Sequence, residues 1–193
     1  MTKKLIILGA SLAVLAPIVT HIINVDWANS SLMQAIFPIF GLLAFTLLWL
    51  HAMSGVFEEW LRERFDFDFF VHWTSIVILF SIILHPLFLL IIAKFDILGI
   101  YNANPKAMLL AFIGLPLLLT YDIGKLLKTK KFFPARWNAI LMISTIGFIL
   151  IFFHSLQIGS DLQSGFLRKL WIFYGVTAIL ATIYTYGIKK LLR

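Results

Sequence analysis

VHWTSIVILFSIILHPLFLLIIA, residues 71–93, contains no Asp, Glu, Lys or Arg and carries two histidines, His72 and His85, the second followed by Pro86. A run of this kind matches the roughly 20 residues needed to cross the hydrocarbon core as a helix, where every backbone amide must be satisfied within the segment. Five further apolar runs flank it, giving candidate spans at 4–24, 32–53, 71–93, 107–122, 137–158 and 167–188. The whole composition agrees: 61% of the 193 residues are hydrophobic, mean hydropathy is +0.97, and only 13% are charged, against about 25% in soluble domains. The expectation is an all-α integral membrane protein, a six-helix bundle filling residues 1–193 as one domain, multi-pass in the cell inner (plasma) membrane.

A net charge of +7 could point to nucleic acid, but the positions of the charges argue against it. With the N-terminus inside, Lys3, Lys4, Arg62, Arg64, Lys125, Lys128, Lys130, Lys131, Arg136, Lys189, Lys190 and Arg193 share the inner side. Only Lys94, Lys106, Arg168 and Lys169 face outward. That is the asymmetry of the positive-inside rule, and it places both termini in the cytoplasm. The basic, apolar start resembles a secretory signal, but its apolar run is long and no small-x-small cleavage site follows, so a retained first span is expected. The absence of cysteine excludes disulfides, iron–sulfur clusters and thiolate-ligated haem.

Two inner connectors are longer than the rest. SGVFEEWLRERFDFDFF, residues 54–70, mixes charges of both signs with Phe57, Trp60, Phe65, Phe67 and Phe69, as a short interfacial helix would. GKLLKTKKFFPAR, residues 124–136, is basic. No glycine-rich phosphate loop occurs, so any nicotinamide or nucleotide chemistry is expected to be borrowed from another protein.

Ionisable residues in spans are costly and draw functional hypotheses. All five histidines, His21, His51, His72, His85 and His154, lie in or beside a span. His85 precedes Lys94 by nine residues and His154 precedes Asp161 by seven, which at 1.5 Å per residue puts them about 13 Å and about 10 Å from their outer markers. Spans three and five run in the same direction, so the two imidazoles stand at similar depth. One bis-histidine haem suits them, with iron held by His85 and His154; the alternative is that each histidine simply bonds a neighbouring helix. His72 lies about 20 Å below His85 and about 220° around the helix, so the two do not share a face. A second, inner site is left open with His72 and His51 as its candidates. Ser155, Gln157, Arg168 and Lys169 are candidates for bonding a ring nitrogen or a propionate. His21 is expected to contact a neighbouring helix or the interface.

FVHWTSIVILFSIILHPLFLL resembles the third helix of the bacterial ferric reductase-like transmembrane domains, with its histidine, apolar helix and Leu-His-Pro-Leu ending. ARWNAILMISTIGFILIFFHSLQIGSDL is similar to their fifth helix. The resemblance implies that His85 and His154 match the outer haem pair and His72 the inner ligand of helix three. Trp137 matches the helix-five tryptophan, but Leu141 stands where a histidine is expected four residues on. The inner side would then depend on a flavin, a partner or His51. Family members with complete activity carry a flavin- and nicotinamide-binding region after the sixth helix, and this chain resembles the stand-alone form without one. The functional expectation is a haem b membrane electron-transfer protein, an oxidoreductase component passing electrons from a cytoplasmic or quinone donor to an outer acceptor. A non-haem scaffold of the same fold and a metal transporter are its rivals; the transporter lacks charge in the middle of the spans.

Overall fold

The computed structural model describes residues 2–127 and 136–189. It is all-helical, with no strand among the described residues. The elements are α1 (Thr2–Asn24), α2 (Leu32–Val56), α3 (Glu58–Arg62), α4 (Phe67–Ile92), α5 (Ile97–Ala103), α6 (Pro105–Leu126), α7 (Trp137–Ile158) and α8 (Gly165–Ile183). A 3₁₀ turn, Ser160–Leu162, follows α7, and a π-helical turn, Tyr184–Ile188, continues α8. Six helices are long and apolar enough to cross a membrane: α1, α2, α4, α6, α7, and α8 with its π turn. They coincide with the six expected spans, and their outward faces carry residues such as Leu8, Leu12, Phe80 and Phe173, each more than half exposed. In water such surfaces would aggregate, whereas lipid solvates them.

Polar residues cap the helix starts, and at α4 and α6 they set boundaries that hydropathy alone placed too late. Asp66 accepts a bond from the Phe69 N–H at 2.9 Å, so α4 begins at Phe67, ahead of the apolar run. Asn104 does the same for Ala107 at 3.2 Å, with Pro105 in the first turn of α6. Ser31 and Gln34 form a reciprocal capping box at the start of α2. At its other end α6 runs to Leu126, so Asp122 lies within that helix and not at its terminus. The basic residues Lys128, Lys130, Lys131, Lys190 and Arg193 lie outside the described residues, as does most of the second inner connector.

The connector between α2 and α4 contains the short helix expected of it, α3. Arg62 bridges Glu58 and Asp68, both at 2.9 Å, and its guanidinium lies 4.8 Å from the Phe67 ring centre. Arg64 covers Trp60 at 4.1 Å. Glu63 pairs with Arg64 at 3.0 Å and Glu59 with Lys189 at 3.9 Å, while Phe57, Trp60 and Phe69 stay exposed.

The helices form two compact units, one of α1–α4 with α8, the other of α5–α7. In the first, α2 packs against α1, α4 and α8. Phe45 stacks on Trp171 and Trp49 on Tyr174, both at 4.2 Å, and the Trp49 indole N–H donates to Thr177 Oγ1 at 2.8 Å. Pro17 cannot donate to the carbonyl four residues earlier, that of Ala13. The Tyr174 hydroxyl from α8 donates to that same carbonyl at 2.9 Å, so a neighbouring helix supplies the bond that proline removes. In the second unit α6 and α7 meet at Gly114 and Gly147 with their backbones in near contact. A methyl on Gly147 would run into the Leu118 N and lie 2.8 Å from the Gly114 O. Ser144 also donates to the Leu118 carbonyl at 3.1 Å.

Two expected outcomes follow from this packing. Tyr174→Phe should lower stability in detergent by ~0.6 kcal/mol, up to ~1.7 kcal/mol, the range of polar contacts between membrane helices. The loss should shrink in a Pro17→Ala background, where residue 17 supplies the missing N–H; an equal loss in both backgrounds would show that the two are uncoupled. Gly147→Ala should cost about 1–3 kcal/mol by overpacking, whereas Gly9→Ala, with nothing within 4 Å of the added methyl, should be neutral or stabilising in the same thermal melts.

Candidate functional site: the histidines

His85 sits in the C-terminal half of α4, half-buried, with its ring turned towards α2 in the first unit. Its Nδ1 lies 2.9 Å from the Phe37 carbonyl oxygen, and the Phe37 ring stacks on the imidazole at 5.5 Å and 29°. One turn further along α2, Gly41 leaves the space that the ring fills: a Cβ there would lie 2.9 Å from His85 Cε1 and 3.0 Å from Nδ1. His154 is buried in α7 of the second unit, and its Nδ1 lies 2.8 Å from the carbonyl oxygen of Ala107, a residue with no exposed surface.

A carbonyl only accepts, so in the neutral form of each ring Nδ1 carries the proton and Nε2 the lone pair. That is the tautomer in which a histidine binds metal through Nε2 while its other nitrogen is held by a backbone acceptor. Both histidines do bond a neighbouring helix, as the packing alternative expected. In each, the nitrogen that makes this bond is Nδ1.

The other histidines are built differently. His21, buried in α1, uses Nε2, 2.8 Å from the Ala35 carbonyl oxygen. His51 Nε2 is 2.6 Å from Thr74 Oγ1, whose own proton goes to the Phe70 carbonyl at 2.6 Å, so His51 carries its proton on Nε2. The Phe70 ring lies 5.8 Å from that imidazole. His51 therefore meets the face of α4 that bears Phe70 and Thr74. His72 stands about 200° from each of these two residues, exposed and edge-on to Trp73 at 5.6 Å. The two candidates for the inner site are not brought together. Ser155, considered as a partner for ring or propionate, donates within its own helix to Phe152 at 2.7 Å. Among the described residues no three His, Asp or Glu side chains gather where they could hold a metal ion.

The roles of Gly41 and of the Phe37 and Ala107 carbonyls had no signal in the sequence, because a backbone acceptor on another helix leaves no mark in residue type. No family model, no curated protein and no solved structure matches the chain.

His51→Ala should lower the melting temperature, by an amount corresponding to about 1 kcal/mol for the lost bond to Thr74. His72→Ala, on an exposed face, should stay within about 0.5 kcal/mol of the parent.

Proposed function

We propose that this chain is a haem b membrane electron-transfer protein in which His85 and His154 would hold one haem. It would lie in the inner (plasma) membrane with both termini inside and would carry electrons from a cytoplasmic or quinone donor to an outer acceptor. The observation that supports this best is the shared tautomer of the two histidines: each gives its Nδ1 proton to a backbone carbonyl and so keeps a lone pair on Nε2. When bound, haem supplies one-electron chemistry between ferrous and ferric iron. The chain's own part is to hold two imidazoles in one tautomer, with the Phe37 ring stacked on that of His85.

The orientation is supported by Lys3, Lys4, Arg62, Arg64, Lys125, Arg136 and Lys189 at one set of helix ends, against Lys94, Lys106, Arg168 and Lys169 at the other. The donor set supports one haem: His51 has committed its Nε2 proton to Thr74, and His72 stands on a different face of α4.

The visible spectrum of protein purified in detergent from haem-replete cells tests the reading. A low-spin Soret band and a sharp reduced α band are expected at one haem per chain, lost in His85→Ala and in His154→Ala and kept in His51→Ala and His72→Ala. Colourless protein would overturn the proposal; two haems per chain would restore an inner site.

A further inference from the structure

We infer that Phe37 and Gly41 of α2 form a positioning cradle for the His85 imidazole, fixing its rotation and its tautomer so that Nε2 is the coordinating nitrogen. Its consequence for an iron rests on the haem reading above; the orientation of the ring does not.

Three contacts from residues one turn apart on α2 act on different parts of the same ring. The Phe37 carbonyl, 2.9 Å from Nδ1, takes the proton. The Phe37 side chain covers one face. Gly41 admits the Cε1–Nδ1 edge, which any Cβ would push away. Glycine inside a helix costs ~1 kcal/mol relative to alanine in soluble hosts, and at Gly41 the close approach of the ring offsets that cost. Gly55, the other glycine of α2, is different: a methyl there would meet only Thr185 at 3.5 Å, an ordinary contact. The acceptor is also a backbone group of a helix, so it can neither lose its charge by protonation nor rotate to another rotamer, as a carboxylate could. A hydrogen bond from Nδ1 to such an acceptor raises the basicity of Nε2 and favours the ferric state of a ligated iron.

The test is Gly41→Ala, with Gly55→Ala as a control on the same helix, using the full chain in detergent. In haem-loaded protein Gly41→Ala is expected to raise the midpoint potential and to change the low-spin electron paramagnetic resonance g values, while Gly55→Ala matches the parent. A Gly41→Ala protein with the parent's potential and g values would overturn the cradle. A second measurement needs neither haem nor a well-folded variant: nitrogen-15 spectra of histidine-labelled parent protein without haem, the His85 signals identified by their absence in His85→Ala. A lone-pair resonance on Nε2 with the proton on Nδ1 is expected, and a proton on Nε2 would overturn the cradle. A parent that takes up no haem but shows the Nδ1–H tautomer would sink the haem reading and leave the cradle standing.

Discussion

Inside a bilayer, a polar group removed from water must be matched by another group of the protein, and the architecture of this chain is built around that requirement. Thr46, Ser75, Thr145 and Thr182 satisfy it within one helix by donating to a carbonyl four residues back. Tyr174 satisfies it between helices, at the carbonyl that Pro17 leaves without an N–H. The histidines do so too, since four of the five place a ring nitrogen on a group of a neighbouring helix. Pairing of this kind draws helices into fixed registers, which lipid-facing leucines cannot do because lipid tails are as apolar as they are.

The same requirement links packing to chemistry. A histidine whose Nδ1 is tied to a backbone carbonyl makes a structural bond that also fixes its tautomer, because tying one nitrogen decides the state of the other. His85 and His154 have this form; His21 and His51 have the opposite one. Small residues complete the arrangement by letting backbone approach side chain or backbone: Gly41 against the His85 ring, Gly147 against Leu118. Elsewhere the chain tolerates substitution, as at Gly9, where an added methyl meets nothing.

Hydropathy and length were enough for the six spans, since a helix of some 20 apolar residues is the simplest way for one segment to satisfy its own backbone in lipid. The ends of those helices were less legible. Asp66 lengthens α4 and the last turn of α6 continues past Asp122, because caps and helical hydrogen bonds do not stop where hydrophobicity does. The short helix at Glu58–Arg62 could be read from its mixture of aromatics and charges.

For the candidate site, residue types and spacing along the chain singled out His85 and His154 and showed that His72 and His85 do not share a face, because helical rise and twist are properties of one segment. Which nitrogen each imidazole uses, that His51 meets Thr74 and not His72, and that a glycine on α2 shapes the surroundings of His85 were decided only by the tertiary structure. Those facts depend on contacts between residues as far apart in sequence as Gly41 and His85, and such contacts exist only once helices are packed side by side.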